Sequence, residues 1–408
     1  SYPKPGLENE LRQLRFSYKH NTKLRVYKLF AVTAPGLQAI TAAELAELGL
    51  LSSTAHAPRS PGGVAFTGGL EAVYRANLWL RTANRVLVRL GEFYAAAFSK
   101  LRKETSRLPW DEFLVPGRPV ALRVTCRKSR LYHSAAVAER VAAAIGDRLG
   151  EPPPQVKFDQ DAAEHHAQLV IVRLSHDRCT ISVDSSGALL HRRGYRLGTA
   201  KAPLRETLAA GMLLASGWDY DSPLLDPFCG SGTIPIEAAL MAGNIPPGRV
   251  RRFAFKRWPG FDNSIWEKLL DEAAGQRRTD TPRIYASDRD AGAIDIAQAN
   301  AARAGVGDAV EFACQSVSAL SPSGTGWVVT NPPYGMRVSK NKDLRNLYAQ
   351  FGNVLRWQCP GWQVAFLSNS FQLIGSTGLD LETSLSFQSG GSAVKVARGA
   401  VPALAGDR

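Results

Sequence analysis

Short apolar runs bounded by turn residues alternate along this chain with longer stretches of helical period. Tyr27-Lys28-Leu29-Phe30-Ala31-Val32 reads as a strand, 36–48 as an amphipathic helix, 63–66 as a strand, 70–83 as a helix and 85–90 as a strand. This βαβαβ-like order predicts a small ferredoxin-like domain over 25–95. A second α/β unit is expected over 96–190, with helices at 98–108, 110–114 and 134–149, a strand at 120–126 and a hairpin of strands 167–174 and 179–184. Residues 185–205 connect this front half to a third unit, and the pattern of that unit is the clearest of the three.

After a helix at 207–216, strands are expected at 223–228, 283–288, 309–314, 327–330 and 361–368, and the last pair, 381–387 and 393–398, reads as antiparallel. Helices fall between the earlier strands, one of them starting after Asp290, a natural cap, and another over 343–355. The fold class is therefore α/β, with a mostly parallel seven-stranded, Rossmann-like sheet over 191–408. Right-handed crossovers place its first and fourth strands side by side at the switch point, where ligands of open sheets bind. Residues 243–282 interrupt the alternation as a long insertion carrying Arg249, Arg251, Arg252, Trp258 and Trp266.

Charge divides the chain the same way. Of the formal +14, residues 1–200 hold +12 (29 basic, 17 acidic) and residues 201–408 only +2 (21 basic, 19 acidic). A basic front half ahead of a near-neutral unit implies a nucleic-acid-binding module, with residues 1–24 as a basic extension. Arg123, Arg127, Lys128 and Arg130 precede the helix at 134 and are candidate phosphate ligands. In the connector, Arg192, Arg193 and Arg196 surround Tyr195. This stretch either lies along RNA with Tyr195 stacking, or packs the two halves together. Five scattered cysteines without Cys-x-x-Cys spacing argue against structural zinc and a disulfide scaffold, and favour a reducing cytoplasm. His165 and His166 lack further ligand spacing and read as surface residues. No metal, membrane span or signal peptide is expected.

Three stretches carry candidate chemistry. Trp327-Val328-Val329-Thr330 runs into Asn331-Pro332-Pro333-Tyr334-Gly335. Proline has no N–H and cannot continue a ladder. The Asn331 side-chain oxygen and the Pro332 carbonyl are left to accept hydrogen bonds from one planar NH2 group, and Tyr334 to stack on the ring bearing it. The plain alternative is a strand-to-loop turn. Upstream, Leu224-Leu225-Asp226-Pro227-Phe228-Cys229-Gly230-Ser231-Gly232-Thr233 is a strand, a Gly-rich turn and a helix start. It lacks both the spaced dinucleotide fingerprint and a Walker lysine. Arg283 to Asp288 is a second strand, ending in a carboxylate suited to a ribose diol.

Together these stretches resemble the class I, S-adenosylmethionine-dependent methyltransferases of the N6-adenine/N2-guanine type. More narrowly the chain resembles the THUMP-containing RNA guanine-N2-methyltransferases. His191-Arg192-Arg193-Gly194-Tyr195-Arg196, Lys201-Ala202-Pro203-Leu204-Arg205-Glu206-Thr207-Leu208-Ala209 and Arg252-Phe253-Ala254-Phe255-Lys256-Arg257-Trp258-Pro259 look most like the branch acting on large-subunit rRNA. The resemblance covers about 25–400 and is densest over 190–370. It implies a THUMP domain at 96–190 and S-adenosylmethionine as the cofactor. Asp226, Pro227, Phe228, Cys229, Gly230, Ser231, Gly232 and Thr233 would lie at its methionine end, with Asp288 and Arg289 at its ribose. Many relatives carry an acid after the third strand to hold the adenine amine; here the run is Cys314-Gln315-Ser316-Val317, so Gln315 or Ser316 must serve. Asn331, Pro332, Pro333 and Tyr334 would hold the target amine, with Asn331 also facing the cofactor. The implied substrate is a guanosine N2 in 23S rRNA. Methylation of tRNA, of DNA adenine-N6 or of protein glutamine, and non-catalytic RNA binding, stay as alternatives. A chain beginning near Ala202 is expected to keep cofactor binding and lose RNA affinity.

Overall fold

The computed structural model describes residues 25–52, 59–60, 62–158, 166–197, 204–334, 344–389 and 392–403. The expected basic extension at 1–24, and the expectations for His165, 201–203, Gly335 and the helix start at 343, lie outside them.

The front half is one sheet. In chain order it holds β1 (Tyr27–Thr33), α1 (Gln38–Glu47), β2 (Arg59–Ser60), β3 (Gly63–Gly68), α2 (Leu70–Trp79), β4 (Ala83–Tyr94), α3 (Phe98–Ser106), β5 (Val120–Arg127), α4 (Ser134–Leu149), β6 (Gln168–Ser175) and β7 (Arg178–Asp184). The strand order is β2-β3-β1-β4-β7-β6-β5. The two expected units share this sheet: β4 is 12 residues long and pairs with β1 on one side and β7 on the other. The expected helix at 110–114 is a single 3₁₀ turn, Trp110–Glu112.

The second half holds α5 (Glu206–Ser216), β8 (Leu224–Asp226), α6 (Thr233–Ala242), α7 (Asn263–Gly275), β9 (Ile284–Asp288), α8 (Ala291–Ala304), β10 (Val310–Cys314), β11 (Trp327–Thr330), α9 (Arg345–Gln358), β12 (Gln363–Ser368), α10 (Phe371–Ser376), β13 (Glu382–Ser389) and β14 (Ser392–Ala400). Its seven strands run β10-β9-β8-β11-β12-β14-β13, parallel from β10 to β12 and antiparallel thereafter. β8 and β11 are neighbours, as the crossover rule requires. The side chain of Asp290 accepts from Ala293 N–H and starts α8.

The insertion at 243–282 belongs physically to the front half. Phe253, Phe255, Trp258 and Trp266 are buried in the same core as Tyr74 and Phe113. Tyr74 stacks on Phe255 with centroids 4.5 Å apart, and Phe113 meets Trp258 edge-on at 4.9 Å. Burying such rings contributes roughly 1.5–3 kcal/mol each. The cluster therefore fastens the front sheet to the second half. Arg251, read from sequence within a basic cluster, is 8% exposed and donates to the carbonyls of Ala188 (2.7 Å) and Leu189 (2.9 Å) in the connector.

Candidate active site

β8 and β11 end side by side, and their last residues are tied together. Thr330 Oγ1 donates to Asp226 Oδ1 at 2.5 Å, and the Phe228 N–H donates to the same oxygen at 3.2 Å. Burial pushes the Asp226 carboxyl up to about 7, and the charge of Asp288 adds to the rise, against the two hydrogen bonds. An unfolded Asp titrates near 4. The folded chain thus holds a proton that the unfolded chain has lost, a stabilisation present at low pH and lost as pH climbs from about 4 through 7. Thermal midpoints of the unliganded protein should fall over that window, and Asp226→Asn should flatten the fall. Equal pH slopes in the two proteins would refute this role for Asp226.

The Gly-rich turn follows at once. Gly230 has φ +52° and Gly232 φ +81°, a region open to glycine. No atom lies within 4 Å of where a Gly230 side chain would begin, so the turn faces open space. A side chain on Gly232 would begin 3.0 Å from Ala297 Cβ, so α8 and the turn pack tightly there. The Gly230 N–H donates to Asp288 Oδ2 at 3.0 Å and the Asp290 N–H to Asp288 Oδ1 at 3.1 Å. The acid at the end of β9 therefore borders the turn from the next strand. Pro227, Cys229, Ser231 and Thr233 are buried, and Phe228 is half-buried, edge-on to Phe351 at 5.5 Å. Burial pushes the Cys229 thiol well up, which leaves it unreactive. Arg289 is exposed, the Gln315 N–H donates to Asp288 O at 3.0 Å, and Ser316 Oγ lies 2.7 Å from Ser318 Oγ.

Beyond Thr330 comes the feature that most needs a partner. Asn331 Oδ1 is buried without a hydrogen-bond partner among the described residues. An unsatisfied buried acceptor costs about 1–3 kcal/mol. Pro332 is buried, and Pro333 and Tyr334 are half-buried. The hydroxyl of the buried Tyr348 donates to the Pro333 carbonyl at 3.4 Å, holding the diproline. Tyr334 packs on the catalytic core from its rim. The β8–β11 edge thus gathers Asp226, the Gly-rich turn, Asp288 and Asn331-Pro332-Pro333-Tyr334 at one place.

The basic candidates separate into two groups. Arg123, Arg127, Lys128 and Arg130 are exposed on and just beyond β5, an edge strand, and Lys128 takes φ +47° in the turn. Cross-strand register puts Arg123 in one row with Ile171, Ser182, Arg89 and Lys28, and Arg127 in one row with Ser175, Arg178 and Tyr94. Arg173, opposite Thr125, lies between these rows. Partners in register share a face, so this face is basic from β5 to β1. Arg89, Arg173 and Arg178 were missed because each is embedded among apolar strand residues rather than in a basic cluster; the period-2 alternation of Ile171-Val172-Arg173-Leu174 was the available signal.

Most of the second group is turned away from the surface. Arg193 and Tyr195 are each 2% exposed. The Arg193 guanidinium pairs with the fully buried Glu237 at 3.4 Å, and the Tyr195 hydroxyl donates to the same carboxylate at 3.1 Å. The expectation that Tyr195 stacks on RNA is corrected: its ring is inside the catalytic core. Arg196 is largely buried too, in an ion pair with Glu206 at 3.3 Å, and Arg192 is half-buried. The sequence alternative, that this stretch packs the halves together, describes their placement.

Among the described residues no group of three or more His, Cys, Asp or Glu is arranged to hold a metal, and no helix is long and apolar enough to cross a membrane.

Residues 193–376 match the family model described as RMKL-like, methyltransferase domain; residues 28–87 match the RlmL ferredoxin-like domain and 95–184 the THUMP domain. A putative RNA methyltransferase of Synechocystis sp. is 35% identical over 89% of this chain and 94% of its own length. The ribosomal RNA large subunit methyltransferase K/L of Syntrophotalea carbinolica is 36% identical over 86% of this chain and 50% of its own. This chain therefore spans about half the length of the K/L proteins it matches. Among solved structures, a protein of Listeria monocytogenes described as a predicted N6-adenine-specific DNA methylase superposes with TM-score 0.80 at 34% identity, covering 92% of this chain and 97% of that one. The putative methyltransferase SMU.472, complexed with SAH, gives 0.79 at 28% identity, covering 92% and 98%. With its fold, its turn and its three matched domains in agreement, the chain belongs to the RMKL-like methyltransferase family, carrying an RlmL-type ferredoxin-like domain and a THUMP domain ahead of the methyltransferase domain.

Proposed function

We propose that this chain methylates the exocyclic N2 amine of a guanosine in RNA, in the large-subunit rRNA, using S-adenosylmethionine. The observation that carries the reading is the buried, unpartnered Asn331 Oδ1 beside the Gly-rich turn. It is an acceptor lacking a donor, and a planar amine supplies one. The names of the K/L relatives favour large-subunit rRNA.

The residues fit the cofactor. The open turn at Gly230 would receive its methionine end, Asp226 its amino group, and Asp288 its ribose hydroxyls. Gln315 or Ser316 would serve the adenine in place of the missing acid. When bound, the cofactor supplies a methyl group already activated on a sulfonium. Asn331 Oδ1 and the Pro332 carbonyl accept the two N–H groups of the guanine amine. That pairing turns the nitrogen lone pair out of conjugation with the ring. Both acceptors bind more strongly as the nitrogen gains positive charge, so they stabilise the transition state over the ground state. Tyr334 stacks on the extruded base, whose unstacking costs a few kcal/mol.

The basic sheet face holds the RNA through phosphates. Its affinity should fall steeply with salt, and a variant combining Arg123→Ala with Arg173→Ala should reduce the log–log salt slope by roughly 1–2. An unchanged slope would remove this face from the interface. The function itself is tested by offering labelled S-adenosylmethionine and the protein to unmodified large-subunit rRNA and to unmodified tRNA, with nucleosides identified by mass spectrometry. N2-methylguanosine from rRNA alone is expected. The same product from tRNA alone would move the substrate, and no methylated nucleoside from either would overturn the reading.

A further inference from the structure

We infer that Arg196, in the connector from the THUMP domain, is a positioning residue for the cofactor turn, and that Tyr195 and Arg196 together hold both flanks of it. The inference rests on the reading that 229–233 receives the cofactor.

The two glycines give the turn its path but no side chains to anchor it, so its shape must be fixed from outside. One flank is Thr233, the first residue of α6. Its Oγ1 accepts from an Arg196 Nη at 2.5 Å. The guanidinium is itself fixed by Glu206 at 3.3 Å and by the Leu204 carbonyl at 2.9 Å. The other flank is Ser231, whose carbonyl accepts from Asn300 Nδ2 at 3.0 Å. Asn300 Oδ1 accepts from Arg303 at 2.5 Å, and Arg303 Nε donates to the Tyr195 carbonyl at 2.8 Å. Beside the Gly230–Asp288 bond, these two routes out of the turn end on adjacent residues of the connector.

The connector is rooted in turn on both halves of the molecule. Arg193 and Tyr195 share Glu237 on α6. Another Arg193 nitrogen donates to the Arg81 carbonyl of the front half at 2.6 Å, and the Arg81 guanidinium reaches back to the Ile245 carbonyl at 2.8 Å. The turn is therefore held by the segment that also carries the RNA-binding half.

The deciding variant is Arg196→Lys. It keeps a positive charge opposite Glu206 but lacks the second nitrogen that reaches Thr233. Calorimetry with S-adenosylmethionine on the full chain should show affinity weakened roughly 5- to 20-fold, with RNA affinity and thermal midpoint unchanged. Added to Thr233→Val, the same substitution should weaken binding no further, because the contact it breaks is already gone. Arg196→Lys within twofold of wild type, or equal losses in both backgrounds, would overturn the inference. Should Arg196→Lys fail to fold, Arg303→Lys on exposed α8 surface tests the other flank: similar weakening supports the inference and unchanged binding refutes it. A wild-type chain that binds no S-adenosylmethionine would instead defeat the functional reading itself.

Discussion

Asn331→Ala is expected to lower methyl transfer by about 10²–10³-fold, the usual loss when one preorganised transition-state partner is removed. Cofactor affinity should stay within a few-fold, because the turn and Asp288 are untouched. Stability is the more discriminating readout. Removing a catalytic side chain is ordinarily neutral or costly, but Asn331 Oδ1 is buried without a partner, so truncation also deletes an unsatisfied acceptor. The thermal midpoint should hold or rise while activity collapses. Single-turnover kinetics and a melt on the same preparation give both numbers. A variant that retains activity, or one that loses cofactor binding in proportion to activity, would take Asn331 out of its role toward the target amine.

The second large effect is on folding. Arg193→Ala leaves Glu237, at 0% exposure, without its cation, and breaking a buried pair from one side costs about 3–5 kcal/mol. Urea denaturation should show that loss, and pairing the substitution with Glu237→Gln should recover part of it, since the stranded charge is then gone. A loss below about 1 kcal/mol would show that Glu237 finds another partner. The same reasoning revises an expectation drawn from sequence. A chain beginning near Ala202 lacks Arg193, Tyr195 and Arg196, and leaves Glu206 and Glu237 buried opposite nothing. It should fold poorly rather than bind cofactor normally. A chain beginning ahead of Arg193 keeps the pairs, and the family match to the catalytic domain starts at that residue.

What the sequence made legible depended on how local the signal was. The catalytic sheet was readable strand by strand because each apolar run is short and ends in a residue with few structural roles: Asp226, Asp288, Asn331. The neighbouring placement of β8 and β11 followed from handedness alone. The front half was harder. The two domains were legible, but nothing local in Ala83–Tyr94 says that it pairs on both edges and joins them into one sheet. The insertion showed its tryptophans but not their destination, since Tyr74 and Phe113 are distant in sequence. The connector misled for a physical reason. Arg-Arg-Gly-Tyr-Arg has the composition of an RNA-binding strip, and the positions of Glu237 on α6 and Glu206 on α5 turn it inward.

The long strand β4 has one more consequence. A sheet that continues through β4 from the ferredoxin-like domain into the THUMP domain, with a register shift at Arg89/Gly91, leaves no hinge between them, and the aromatic insertion clamps the same sheet to the catalytic half. The basic face and Asn331 are then the two ends of a ruler. On the proposed function, such a ruler would select the target nucleotide by how far it stands from the RNA element on the basic face, more than by the letters that flank it.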